Sequence, residues 1–105
     1  MSYPKYSYFL APKAEQDVVD IAAFGTYEWG ELEATRYTQQ FLDAFNELTL
    51  FPHLGQAVVL EHPHYRSWRV GSHIVFYRVD ESIKEIEIVR ILHARMDASR
   101  HLDRP

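Results

Sequence analysis

The amino-acid sequence predicts an α+β domain of order β-α-α-β-β-β, with an α-helical hairpin packed on one face of a mainly antiparallel sheet. Three observations carry that expectation. Two long windows with apolar residues every three or four positions are separated only by Trp29-Gly30-Glu31. Three apolar runs follow, parted by Gly71-Ser72 and by a polar stretch at 80–83, which is the pattern of adjacent β-hairpins. A short alternating run precedes the helices.

That first run, residues 5–10, sets Tyr6, Tyr8 and Leu10 against Ser7 and reads as a strand. Ala11-Pro12 ends it, and proline suits the first turn of a helix because its missing N–H has no intrahelical partner there. From Lys13 the apolar positions are Val18, Ile21, Ala22, Gly25 and Trp29, one helical stripe. Glu15, Asp17 and Asp20 lie near its start, where the macrodipole favours negative charge. Gly25 costs such a helix about 1 kcal/mol relative to alanine; it marks either a close approach of another element or a slight bend. A second helix over residues 32–51 has the stripe Ala34, Tyr37, Phe41, Ala44, Phe45 and Leu48, and Pro52 stops it. Joined so tightly, the two helices form an antiparallel hairpin that buries its stripes on a sheet.

Residues 53–63 read as a loop with a short apolar stretch at 57–60. Strands follow at 65–70, 73–79 and 85–93, the last carrying Ile86, Ile88, Val89, Ile91 and Leu92. Residues 94–105 form a polar tail with a weak helical tendency at 98–102. The whole chain, 1–105, is expected to be a single domain with its core at about 6–93. Strand order within the sheet does not follow from the sequence.

Composition bounds the chemistry. The chain of 105 residues has no cysteine, which excludes a disulfide scaffold, a thiol nucleophile and thiolate metal sites. Its net charge is −4, the opposite of what gripping a phosphate backbone requires. The charge is unevenly placed: residues 1–65 hold three basic side chains against nine carboxylates, and residues 66–105 hold eight against six. An acidic partner should therefore meet the last third. No apolar run approaches the ~18–20 residues that span a bilayer, and the start lacks the features of a secretion signal. A cytoplasmic protein with no membrane association is expected. His62-Pro63-His64 would place two rings on one side of a strand, but no third ligand follows at a recognisable spacing, so the histidines read as surface and no metal is expected. No phosphate loop, dinucleotide fingerprint or Ser-His-Asp order occurs, and no cofactor is implied.

Several segments in order carry a family resemblance. They are Tyr8-Phe-Leu-Ala-Pro-Lys-Ala-Glu-Gln-Asp, Trp29-Gly30, Phe51-Pro52-His53-Leu54-Gly55 and Tyr65-Arg66-Ser-Trp-Arg69-Val. Gly71-Ser-His73-Ile-Val-Phe-Tyr77-Arg78 and Ile91-Leu-His93-Ala-Arg95-Met96-Asp97 complete the set. Through them, over roughly residues 6–102, the chain resembles the RelE/ParE superfamily of type II toxin–antitoxin toxins, and within it the ParE branch. The resemblance implies the same β-α-α-β-β-β fold and a stable toxin held inactive by a labile antitoxin from the same operon. It implies growth arrest by binding DNA gyrase and trapping it with cleaved DNA, and a part in plasmid stabilisation. The RelE branch instead cuts messenger RNA on the ribosome.

The residues weigh the two activities. RelE-like ribonucleases resemble one another in overall basicity, in an arginine early in the strand that begins here at His73, and in a tyrosine or histidine near the C-terminus. The comparable strand position here is Ile74, leaving Arg95 and His101 as the catalytic residues of that alternative. A gyrase inhibitor has no catalytic residues and needs an exposed surface with aromatic and arginine anchors. The expected target surface is Arg95, Met96, Arg100 and Trp29, with Tyr27 and Glu31 beside Trp29 at the hairpin tip. Trp29 ends an apolar stripe, a place that more often serves the core. The expected antitoxin surface is Arg66, Arg69, Arg78 and His93, facing a ParD-like antitoxin with a ribbon-helix-helix DNA-binding part and an amphipathic wrapping segment that enters a groove between the helices and the sheet edge, its acidic residues suiting Arg66, Arg69 and Arg95. A toxin–antitoxin hetero-oligomer follows, with no direct nucleic-acid contact. A toxin-fold protein that only binds its antitoxin is the third reading.

Overall fold

A computed structural model describes residues 5–58 and 64–102 of the chain. Strand β1 (Ser7–Leu10) leads into helices α1 (Pro12–Trp29) and α2 (Glu31–Leu50), followed by β2 (Gln56–Ala57), β3 (Arg66–Val70), β4 (His73–Asp80) and β5 (Glu85–His93). The five strands form one sheet in the order β1-β5-β4-β3-β2. Strands β2 to β5 pair antiparallel, while β1 lies parallel to β5 with Ser7 opposite Glu85 and Leu10 opposite Ile88. Parallel pairing requires a crossover between the strands, and α1 and α2 are part of that crossover. The predicted element order and helical hairpin are therefore present, with two-residue β2 as an additional edge. The sequence expectation of an apolar stretch at 57–60 falls partly on residues outside the described set.

One residue joins the helices. Gly30 has φ +88, a conformation that costs other residues steric strain. Its N–H donates to the Thr26 carbonyl at 3.0 Å and its own carbonyl accepts the Ala34 N–H at 3.1 Å, so it ends one helix and starts the next. Gly25 marks a close approach: a Cβ built there would sit 3.3 Å from Ala34 Cβ and from the Trp29 ring. Beyond Gly25 the buried stripe of α1 stops, and Trp29, which continues its spacing, is 52% exposed. The stripe of α2 holds throughout, with Ala34, Phe41, Ala44, Phe45 and Leu48 buried and Tyr37 half-buried.

The sheet has an apolar layer on each face. Under the helices lie Val70, Val75, Tyr77, Ile86, Ile88 and Ile91; on the outer face lie Tyr65, Phe76, Val89, Leu92 and Leu102. A bulge in β5 reconciles the two sets. Phe76 faces Arg90 while Tyr77 faces Ile88, so β5 holds one extra residue there and its alternation changes phase. That is why a continuous run of isoleucines and leucines fits a two-sided strand. The chain after β5 folds back over the outer face: Asp97 caps a 3₁₀ turn at Ala98–Arg100 by accepting from Ser99 N at 3.1 Å and Ser99 Oγ at 2.7 Å, and Leu102 is only 5% exposed.

Candidate functional site

The β3–β4 turn lies against α2, and Tyr37 is where they meet. Gly71 has φ +58, and a Cβ there would fall 2.6 Å from Tyr37 Cε1, so glycine is required both by backbone conformation and by space. The Tyr37 hydroxyl accepts the Ser72 N–H at 3.0 Å, lies 2.7 Å from His73 Nδ1 and reaches the Val70 carbonyl at 3.4 Å. A tyrosine that reads as one more position in an apolar stripe thus fixes the turn as well.

His73 opens β4 and stands opposite His93, the last residue of β5. Their ring centroids are 5.3 Å apart at 77°, and His73 also packs on Phe41 at 5.8 Å. His93 Nδ1 accepts the Arg95 N–H at 3.1 Å. The same bend is held by Ala94 N–H to the Ser72 carbonyl at 2.8 Å and Met96 N–H to the His93 carbonyl at 2.9 Å. Burial, then the neighbouring His93, lowers the pKa of His73 against the opposing pull of Asp17, so its ring is held neutral.

An aromatic row runs outward from this point. Successive centroids are 5.3 Å from His93 to His73, 5.6 Å to Tyr37, 5.7 Å to Trp29 and 6.4 Å to Phe24. Two parts of the predicted target surface, Trp29 at the hairpin tip and Arg95-Met96 after β5, are therefore linked by one packed row, which contains Trp29 and begins at His93. Arg95 is exposed and Met96 is 42% exposed. Arg100 is exposed in the 3₁₀ turn, 3.6 Å from the Asp97 carboxylate.

Asp17 and Arg90 hold this end of the molecule together. Strand β1 ends at Leu10, so beyond Ile88 the edge of β5 has no strand partner on that side. Asp17 takes its place: Oδ2 accepts the Ile91 N–H at 2.9 Å, and the carboxylate receives Arg90 Nε at 2.8 Å and Nη2 at 2.9 Å. Arg90 Nη1 also donates to the His101 carbonyl at 3.2 Å. The pair lies largely out of solvent. Position in the first turns of α1 gives Asp17 a complete explanation in sequence terms, which is why its role as a strand substitute is not legible there.

The predicted antitoxin residues split between the two ends of the sheet. Arg69 and His93 lie near the Gly71 turn. Arg66 lies at the other end, where its Nη1 donates to the Gly55 carbonyl at 2.6 Å. Beside it the Tyr77 hydroxyl donates to the Pro52 carbonyl at 2.8 Å and accepts the Gly55 N–H at 2.9 Å. Arg78 pairs with Glu87 and sits 5.3 Å above the Tyr65 ring. It lines a groove with Phe9, His64, Asp80, Glu81 and Glu85, where carboxylates outnumber cations. Five residues separate His73 from Arg78, roughly 16 Å of strand.

The alternative catalytic pair is tied into the fold. The His101 carbonyl is held by Arg90 and the Arg95 N–H by His93. Ile74, opposite Leu92 and Arg69, packs on the outer apolar cluster. His62 lies outside the described residues, and among those described no group of three or more metal-ligating side chains forms. No described helix is long and apolar enough to cross a membrane.

Comparison with known proteins places this geometry in context. Residues 8–98 match the family model described as the ParE toxin of the type II toxin–antitoxin system parDE. Toxin ParE1 of Mycobacterium tuberculosis is 35% identical over 95 residues, covering 90% of this chain and 96% of the relative. Toxin ParE1 of Caulobacter vibrioides is 34% identical over the same shares. Among solved structures, a chain of the chromosomal ParDE system from P. aeruginosa superposes with a TM-score of 0.73 at 22% identity, covering 87% of this chain and 98% of that one. The M. tuberculosis RelBE2 toxin–antitoxin complex gives 0.67 at 21% identity, covering 85% and 98%.

Proposed function

The chain belongs to the ParE family of type II toxin–antitoxin toxins, and from that premise we propose that it acts in the cytoplasm by binding DNA gyrase and trapping the cleaved complex. It catalyses no reaction in this reading. The observation that favours inhibition over RNA cleavage is Ile74: where the RelE-like resemblance calls for an arginine, an aliphatic side chain packs on the outer apolar cluster. A pentacovalent phosphate would meet hydrocarbon there instead of the cation it needs. The net charge of −4 points the same way.

The target surface is the ridge from Trp29 to Arg95 and Met96, where exposed aromatic, thioether and guanidinium groups stand on a packed row. Such anchors dominate protein interfaces because they bury much area at low entropic cost. The partner that restrains the toxin is a ParD-like antitoxin. Its wrapping segment fits the cleft between the open edge of β1 and α2, lined by Tyr6, Tyr8, Asn46 and Thr49 with Lys5 among them. Strand β1 is the edge of the sheet, and edge strands offer unpaired backbone groups.

Purified protein incubated with gyrase should block supercoiling and accumulate cleaved DNA, and addition of the antitoxin should reverse both. Untouched gyrase together with cleavage of ribosome-bound messenger RNA would overturn the proposal in favour of a RelE-type endonuclease.

A further inference from the structure

After His93 the chain leaves the sheet and folds back into the 3₁₀ turn at Ala98–Arg100. From Asp97 on, its backbone bonds are internal. Arg100 N–H donates to the Asp97 carbonyl at 3.1 Å, and His101 N–H and Leu102 N–H both donate to the Ala98 carbonyl at 3.0 Å. These bonds fix the shape of the turn but not its place on the molecule. The bend at Arg95 and Met96 is pinned separately, through Ala94 N–H to the Ser72 carbonyl at 2.8 Å and Met96 N–H to the His93 carbonyl at 2.9 Å.

The place of the turn is set from outside it. Leu102 and Ala98 pack on the outer apolar cluster with Phe76, Val89 and Leu92, an attraction without direction. Arg90 adds the direction, since its Nη1 donates to the His101 carbonyl at 3.2 Å. Its other donors are taken by α1: Nε and Nη2 donate to the Asp17 carboxylate at 2.8 and 2.9 Å. Asp17 Oδ2 accepts the Ile91 N–H as well, at 2.9 Å. The guanidinium is planar and always charged, so its donors leave in fixed directions. Trp29 ends the helix in which Asp17 stands. One side chain thus ties the C-terminal turn to β5 and to the helix that carries Trp29. Arg90 and Asp17 are only 16% and 12% exposed, so water competes little for these bonds.

We propose that Arg90, oriented by Asp17, is a positioning residue for the target surface: it fixes where the turn bearing Arg100 stands relative to Trp29 and the Arg95-Met96 bend. This rests on the reading of those residues as one contact surface. Anchors already held in their bound geometry lose less entropy when a partner docks. Arg90 touches no partner in this role and acts through the turn. Lysine puts a single nitrogen where the guanidinium spreads three, so an ammonium held by Asp17 leaves the His101 carbonyl without its donor.

The test uses the full chain. In Arg90→Lys the His101 and Leu102 amides should exchange with solvent about tenfold faster, the worth of one hydrogen bond from a charged group. The Ile91 amide, still bound by Asp17, should keep its rate. Growth arrest in cells, compared at equal protein level, should weaken in Arg90→Lys and in Arg100→Ala. Combining the two should add little to the larger loss, because both act through the same turn. Tyr77→Phe loosens the opposite end of the sheet and should arrest growth like the wild type, which controls for lost stability. Leu102→Ala frees the same turn while leaving the Asp17–Arg90 pair intact, so it should reproduce the faster exchange and the weaker arrest even where Arg90→Lys does not fold.

Unchanged exchange at His101 and Leu102 in Arg90→Lys overturns the proposal, as does full arrest by Arg100→Ala or by a Leu102→Ala chain with a freed turn. Additive losses in the double variant, or an equal loss in Tyr77→Phe, reduce the brace to a purely structural part and overturn it too. A wild-type chain that arrests no growth removes the target surface and this proposal with it. Gyrase takes no part in these measurements. Gyrase left untouched in the purified assay would overturn the target and leave the positioning role standing, and failure of the positioning role would leave the gyrase reading standing.

Discussion

Tyr77 is fully buried, yet its hydroxyl makes two hydrogen bonds to the loop that carries β2. Burial raises the pKa of that phenol, with the Gly55 N–H and Arg66 opposing less strongly, so it stays protonated and can donate to Pro52. Tyr77→Phe leaves a buried N–H and a carbonyl unpaired. The expected loss is about 1–3 kcal/mol, read from urea unfolding. At His73 the sign of the pH dependence is fixed by the lowered pKa. The unfolded chain has the higher affinity for the proton, at the ordinary histidine value of 6.5, so stability should fall as pH drops below that value and level off below the folded pKa. His73→Asn should show a shallower loss over the same range, and equal slopes would mean that the folded ring has no preference for neutrality. Asp17→Asn should cost about 3 kcal/mol, because it leaves Arg90 largely buried without its charge partner.

The elements differ in how far the sequence reveals them. Strand β5 (Glu85–His93) and the helical stripe of α2 follow directly from periodicity, since each position needs only its neighbours to be interpreted. The α1 stripe is legible as far as Gly25; Trp29 continues its spacing but is 52% exposed and packs on Tyr37. The parallel place of β1 is not legible, because it depends on how the crossover closes and not on any residue within the strand. Nor is the site. Tyr37 has the spacing of a core residue, and its hydroxyl acquires a purpose only when the Gly71 turn arrives against it. Gly71→Ala tests that meeting. The added methyl cannot share space with Tyr37, so it should displace the turn, break the Tyr37–His73 hydrogen bond and lower the melting temperature. Gly30→Ala, with open space around its Cβ, should cost only the strain of an extended positive-φ backbone (φ 88, ψ 165), about 1–3 kcal/mol.

For the molecule as a whole, the charge division in the sequence has a partial spatial counterpart. The helical hairpin is acidic, whereas Arg69 and Arg95 lie at the Gly71 end of the sheet and Arg100 in the 3₁₀ turn that folds back from it. Arg66 and Arg78 belong numerically to the basic third but are engaged at the opposite end, so counting charges by segment overstates the surface available to an acidic partner. Replacing Arg95 and Arg100 together by alanine should weaken growth arrest in cells while the circular dichroism spectrum is unchanged. Full toxicity in that variant would remove the C-terminal turn from the target surface.

The pairing of β1 with β5 also has a consequence in time. Residues 7–10 leave the ribosome long before residues 85–88, the segment of β5 that they join. Their sheet contacts must wait until most of the chain has emerged, and contacts so distant in sequence form slowly. The edge strand and the Asp17 brace beside it therefore belong to the last stage of folding. A growing chain would expose the acidic helices well before it could assemble the His73–His93 end, so the Trp29 to Met96 ridge is complete only when synthesis is nearly finished.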